Sequence, residues 1–487
     1  MNDGFIGMPM KIVCMLFAAL FAAFNARAAA LPPAVRDALQ QAHIPPGSVG
    51  IEVREAGARK PLISINSAQA MNPASTMKLL TTYAALDMLG PAYTWKTEAY
   101  LDGELKEGVL HGDLILKGYG DPKFTIEQFW LWLSELRARG LREISGDLVL
   151  DRSFFDLPAH DPGSFDNDPV RAYNVGPDAL LLNFNTLRLR YLPEGNALKI
   201  ISEPPLEGIK LDNRLTPQTA PHPSKRDCEQ WDDTISVQPD GDRVVLQGGY
   251  PGECGEREQN LSVMPHTRYV EAVFRALWQE LGGTLKGKQR EGVAGGNARL
   301  FATHLSEPLS TVIRDINKFS NNVMARQLFL TLGTAASDPV KNEENSQVAS
   351  SIERSIRAVH GWVQKRQLDF PELVLENGAG LSRAERISPH GMAMLLQSAA
   401  QHPLSAELQA SLPILGVDGS VKKRLKGSPA ASHAHLKTGT LEGVKTIAGY
   451  VRSNNGKEWI VVFFINHPNA RRGQNAQDAL IEWVQGR

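Results

Sequence analysis

Pro73-Ala74-Ser75-Thr76-Met77-Lys78-Leu79-Leu80 opens a stretch that runs without glycine or proline to Leu89 and stops at Gly90-Pro91. The pattern predicts a helix over residues 75–89, because a proline precedes it and a glycine-proline pair closes it. Ser75 and Lys78 stand three residues apart, so both side chains leave one helix face. They also fall in the first turn, where free backbone N–H groups and the helix dipole favour negative charge. A serine hydroxyl is a weak nucleophile and needs a base beside it. Lysine can be that base when burial and a second cation lower its pKa.

Two further short motifs complete a reaction centre. Ser320-Asn321-Asn322 sits where a helix-rich stretch over residues 309–332 is expected to break. Ser320 can pass a proton between Lys78 and a leaving amine. Asn322 can donate to and accept from a substrate amide, with Asn321 turned elsewhere. Lys437-Thr438-Gly439 falls on a predicted edge strand over residues 435–438. Lys437 is the candidate second cation beside Lys78. With the Thr438 hydroxyl it can grip a carboxylate, and Gly439 leaves room for a substrate along the strand. The amides of Ser75 and Thr440 would then form an oxyanion hole, where losing one donor typically costs about a hundredfold or more in rate. Each motif alone is common. Together they supply an activated serine, a proton relay and an anion clamp.

Spacing sets the domain plan. Ser320 follows Ser75 by 245 positions, yet both must reach one cleft. Most of the chain between them must therefore be an insertion. The expected catalytic domain is split over residues 31–94 and 291–487. The inserted region covers 95–290, with a nested β-rich subdomain at 190–260, where short strands alternate with Pro, Asp and Gly turns. Within the insertion, Thr125 and Gln128 form a capping box for a helix over 125–139 with an apolar stripe of Phe129, Trp130, Leu133 and Leu136. A second amphipathic helix is expected over 268–281. The chain closes with strands at 446–452 and 459–466 and a helix at 474–485. The fold class is α/β (α+β): an antiparallel sheet flanked by helices, interrupted by a large mixed insertion.

The N-terminus reads as an export signal. Lys11 ends a short n-region, residues 12–24 are almost wholly apolar, and Ala26-Arg27-Ala28 has the small-x-small form of a cleavage site. Residues 1–28 are expected to be removed, leaving a periplasmic protein with no integral membrane span. Cys14 leaves with the signal, and the exported pair Cys228 and Cys254 is expected to oxidise. The 52 basic and 53 acidic residues give a net charge of −1, so no global field favours nucleic acid. No metal or cofactor is signalled.

The chain resembles the class C low-molecular-mass penicillin-binding proteins, the D-alanyl-D-alanine carboxypeptidase/endopeptidase family. Ser-x-x-Lys, a Ser-x-Asn element and Lys-Thr-Gly are the motif set of penicillin-binding proteins and class A β-lactamases, with Asp commoner where Asn321 stands. Similar too are Gly120-Asp121-Pro122, the segment from Gly146-Asp147 to Asp151, Asn183-Phe184-Asn185, and Leu412-Pro413 with Gly416-Val417-Asp418-Gly419-Ser420. Asn377-Gly378-Ala379-Gly380-Leu381-Ser382-Arg383 resembles an Asp-Gly-Ser-Gly-Leu-Ser-Arg loop, with Asn and Ala replacing Asp and Ser. Lys117-Gly118-Tyr119 stands where the family has more glycine.

The resemblance implies hydrolysis of D-Ala-D-Ala termini or peptide cross-links of peptidoglycan through a Ser75 acyl-enzyme. It also implies covalent inhibition by β-lactams. In the insertion, Asp166-Asn167-Asp168 is an acidic cluster, and Asp168 is the candidate to read the free amine of a diamino acid side branch. Arg383 is placed near the site as a loop-orienting or packing residue. The alternatives are a β-lactamase, which the long separation of the motifs disfavours, and a non-catalytic wall-binding protein, which the intact motifs disfavour. Oligomeric state is not legible.

Overall fold

The computed structural model describes residues 31–195, 197–218, 228–335 and 349–487. The expected signal segment 1–28 lies outside the described residues.

A five-stranded antiparallel sheet carries the site. Its strands lie in the order Ala434–Leu441, Val444–Arg452, Glu458–Asn466, Val49–Glu55, Ile63–Ile65. The middle strand therefore comes from the end of the chain and pairs with a strand from its beginning. Glu458–Asn466 is an almost unbroken apolar run because both its faces are covered. Val461, Phe463 and Ile465 join a cluster with the helices Pro33–Gln41 and Gln474–Gln485. Ile460, Val462 and Phe464 join a second cluster with the helices Lys78–Leu89, Leu309–Phe319, Ile352–Lys365 and Pro389–Ala400. Truncating such a buried Phe to Ala typically costs about 3–5 kcal/mol. The strand bearing Lys437 lies at the sheet edge, as its sequence suggests.

The expected helix over 75–89 divides in two. Ala74–Met77 is one 3-10 turn and Lys78–Leu89 is the α-helix. Residues 78–86 are all buried, so this helix crosses the core instead of lying on its surface.

Between the early and late catalytic segments lies a seven-stranded sheet built on the hairpin Lys96–Lys106 and Val109–Gly118. The strand Arg299–Leu305 pairs with Lys96–Lys106, so this sheet runs on past residue 290, where the expected insertion ended. The helices Ile126–Ala138 and His266–Glu280 pack on it. Gln128 accepts from the Thr125 amide at 2.9 Å, as a capping box requires. Trp130, expected in the buried stripe, is 38% exposed. Trp132 takes its place, because Phe129, Trp132, Leu133 and Leu136 follow the i, i+3, i+4, i+7 face and Trp130 does not.

Two three-stranded sheets occupy residues 187–261 around one small core that includes Tyr191, Leu246 and Tyr250. A disulfide joins Cys228 to Cys254 there. Among the described residues, no helix is long and apolar enough to cross a membrane.

Candidate active site

The serine sits in a strained turn clamped from two sides. Ala74 has φ +45°, a left-handed conformation that costs an L-residue about 1–2 kcal/mol. Asn72 Oδ1 accepts from the Ala74 amide at 2.8 Å. The Pro73 carbonyl accepts from Thr76 Oγ1 at 2.6 Å and from Thr446 Oγ1 at 2.7 Å. Gly380, at φ +77°, lies so close that a Cβ would strike the Ala74 carbonyl. On the other side a Cβ on Gly439 would meet the Ser75 amide nitrogen at 2.8 Å. These two glycines let a loop and a strand close on the turn. Ser75 stays partly exposed, and Lys78 is fully buried.

Lys78 Nζ lies 3.1 Å from Ser75 Oγ, 2.7 Å from Asn322 Oδ1 and 2.5 Å from the Ala379 carbonyl. Burial pushes its pKa well below the ordinary lysine value. Lys437 and Arg326 push the same way, and Glu385 opposes them. A neutral amine has two protons and one lone pair. With the protons on the two carbonyl oxygens, the lone pair is left for the Ser75 hydroxyl, which is the arrangement of a base.

Ser320 ends the helix Leu309–Phe319 at φ +57°, and the next helix starts at Asn322. This break turns the Ser320 hydroxyl toward Lys437 Nζ, 2.7 Å away. Lys437 also donates to the Thr438 carbonyl at 2.8 Å, and burial lowers its pKa to about 7. Asn321 turns away and accepts from the Met324 amide at 3.1 Å. Asn322 Nδ2 donates to the Tyr173 carbonyl at 3.2 Å, tying the insertion to the catalytic helix. The Thr438 and Ser420 hydroxyls lie 2.8 Å apart. Thr440 follows Gly439 on the same edge strand and is exposed.

The loop 377–383 works mainly through its backbone. Ala379 gives its carbonyl to Lys78, so Ala in place of Ser changes nothing at that contact. Asn377 accepts from the Ala379 amide and donates to the Leu381 carbonyl, both at 2.9 Å. Beneath the loop, the buried Glu385 carboxylate accepts from the amides of Glu376, Asn377 and Gly378 at 2.9–3.1 Å. No short pattern announces Glu385, because its partners are main-chain groups that any sequence would offer. Tyr173 and Arg326 escape sequence reading for similar reasons. Arg326 donates to the Val175 carbonyl at 2.8 Å, which pins the strap carrying Tyr173.

Asp168 is engaged elsewhere. Its carboxylate accepts from Arg171 Nε at 2.7 Å, and Arg171 also reaches Asp232 at 2.9 Å. Its neighbour Asp166 is the cluster member linked to the reaction centre, since it accepts from the Tyr173 hydroxyl at 2.7 Å. Arg383 donates to the Glu442 carbonyl at 3.2 Å and lies 4.8 Å from the Phe165 ring centroid, so it bridges the insertion and the motif loop.

Across residues 31–486 the chain matches the family model described as the D-Ala-D-Ala carboxypeptidase 3 (S13) family. The chain belongs to that family. It is 27% identical to the D-alanyl-D-alanine carboxypeptidase DacB of Haemophilus influenzae, over 87% of this chain and 86% of that one. It is 26% identical to a D-alanyl-D-alanine carboxypeptidase of Actinomadura sp. (strain R39), over 84% and 76%. The crystal structure of penicillin binding protein 4 from Haemophilus influenzae superposes with a TM-score of 0.74 at 26% identity, covering 92% of this chain and 99% of that one. The same protein has been crystallised in complex with a β-lactam. The DD-peptidase fold with its inserted region and the serine carboxypeptidase family are therefore those the three motifs suggest.

Proposed function

We propose that this chain is an exported serine D-alanyl-D-alanine carboxypeptidase that also cleaves peptide cross-links, acting on peptidoglycan through a Ser75 acyl-enzyme. The observation that carries the reading is the chain of contacts Ser75–Lys78–Asn322 with Ser320–Lys437. Lys78 takes the Ser75 proton as Oγ attacks the penultimate D-alanine carbonyl. The Ser75 and Thr440 amides receive the developing oxyanion. Lys437 and Thr438 hold the terminal carboxylate. The C–N bond breaks as the proton passes through Ser320 to the leaving nitrogen, and D-alanine or a cross-linked strand departs. Water then hydrolyses the ester and restores the serine hydroxyl. A β-lactam places its carboxylate on the same clamp, and its opened ring stays attached to Ser75.

The split catalytic domain, the inserted region and the removal of residues 1–28 belong to the same reading, with the boundary of the insertion moved to about residue 305. Asp168 would read a substrate amine while sharing its carboxylate with Arg171, which holds one of its two oxygens.

Ser75→Ala is the direct test. Labelling by a fluorescent penicillin should vanish while thermal unfolding stays native. Covalent labelling that persists in the mutant sinks the assignment. Mass analysis of digested cross-linked muropeptides separates loss of a terminal D-alanine from cleavage into monomers. Rapid turnover of penicillin would favour a β-lactamase instead.

A further inference from the structure

Releasing D-alanine requires room for one small amino acid on the leaving side. Cutting a cross-link requires room for an amine that carries a whole second peptide. The proton donor identifies that side, because the group that protonates the leaving nitrogen must stand next to it. In the proposed reaction this group is Ser320, whose hydroxyl faces Lys437. The leaving strand must therefore extend past Ser320.

A cleft of about 780 Å³ opens at that point. Ser320 and Asn322 line it on the catalytic side, and the insertion supplies Tyr173, Phe184 and Arg188 to its walls. The volume lies within the range of about 300–1,000 Å³ typical of ligand sites, well beyond the need of a single alanine. Phe319, directly before Ser320, lines the cleft and is 74% exposed. A side chain so large and so bare at the lip of a reaction centre suits contact with a passing chain. The Arg188 guanidinium is half exposed and reaches Glu203 only at 3.7 Å, leaving donors free for a peptide carboxylate. Lys123, also in the cleft, is different: Glu307 and Asp315 hold it at 2.6 and 2.7 Å.

We propose that this cleft is the leaving-strand subsite, which seats the carboxylate-bearing peptide attached to the departing amine. The inference rests on the hydrolase reading above and deepens it. The catalytic residues serve both reactions, and the cleft between the insertion and the Ser320 loop serves cross-link cleavage alone.

The test uses the full mature chain with Phe319→Ala and Arg188→Glu. Each is assayed on a purified cross-linked dimer muropeptide and on a monomer that ends in D-Ala-D-Ala. A fluorescent penicillin, whose amine stays tethered after ring opening, reports the catalytic groups independently of any leaving strand. For each variant the ratio of kcat/KM on the dimer to kcat/KM on the monomer should fall about tenfold, chiefly through KM. Arg188 lies in the strand Leu187–Glu194, away from the Ser320 loop, so it keeps the test valid if Phe319→Ala disturbs that loop. A constant ratio in Arg188→Glu, whether both activities fall together or neither changes, overturns the subsite. Failure of the wild-type protein to react with monomer or penicillin would overturn the hydrolase reading itself, which is a separate result.

Discussion

Gly439→Ala tests whether the closeness of the edge strand to the serine turn is what makes the site work. The added Cβ would lie 2.8 Å from the Ser75 nitrogen and 2.9 Å from Ala74 Cβ, and closer still to Thr446 Oγ1. Ordinary contact begins near 3.4 Å, so strand and turn must part by about 0.6 Å. The turn has little freedom to yield. Ala74 is held by Asn72 and backed by Gly380, and the Thr446 hydroxyl is committed to the Pro73 carbonyl. Overpacking of this kind costs about 1–3 kcal/mol. A displacement approaching 1 Å at reacting groups costs about a hundredfold in rate. The assay is the second-order rate of acylation by a fluorescent penicillin, with thermal unfolding measured in parallel. The expected result is a rate about a hundredfold lower and a melting temperature lower by a few degrees. Gly361→Ala is the control. Gly361 is exposed in the helix Ile352–Lys365 with nothing within 4 Å of the new carbon, and Ala there should stabilise by up to about 1 kcal/mol. Acylation of Gly439→Ala within threefold of wild type, at an unchanged melting temperature, would refute the reasoning.

Other outcomes follow from the buried charges and the disulfide. Lys437, lowered to about 7 by burial, loses its proton as pH rises through that value. The kcat/KM for D-alanine release should then fall on the alkaline side, and the limb should move upward in the kcat profile because a bound carboxylate favours the ammonium. In the proposed reaction the acid limb belongs to Lys78, which acts as a base in its neutral form. The negative charge of Glu385 favours the Lys78 ammonium, so Glu385→Gln should shift that limb to lower pH, and an upward shift would contradict it. Both lysines are depressed in the folded state, so the unfolded chain binds more protons between about 7 and 10.5. Stability should rise with pH across that window, and a denaturant titration of Lys437→Met should show a flatter rise. Replacing Cys228 and Cys254 together by Ser should cost roughly 3 kcal/mol, from a loop of 26 residues, read from the urea midpoint of the nested β region.

The chemistry was more legible than the architecture. Three short motifs point to Ser75, Lys78, Ser320 and Lys437 because nucleophile, base and relay need those residue types. The terminal strands were legible because Glu458–Asn466 is apolar on both faces and long enough to declare itself. The extent of the insertion was harder to read. Arg299–Leu305 has one buried position, Ala302, and six that are exposed or half-exposed, so its pairing with Lys96–Lys106 leaves little mark in the sequence. Glu385 and the Ala379 carbonyl were invisible for a related reason: their contacts are with main chain, which carries no residue code. Asp168 stands in the sequence as one acidic residue in a run, and only the fold shows that Arg171 engages one of its oxygens.

The strand Val49–Glu55 finds its neighbour in Glu458–Asn466, and Gly439 presses on Ser75 from the adjoining edge hairpin. The serine turn is thus shaped by a strand that follows it by several hundred positions in the sequence. A chain cut ahead of Gly439 carries every atom of Ser75 and Lys78 yet lacks the strand that closes on them. Competence to react therefore requires that these two distant segments have met.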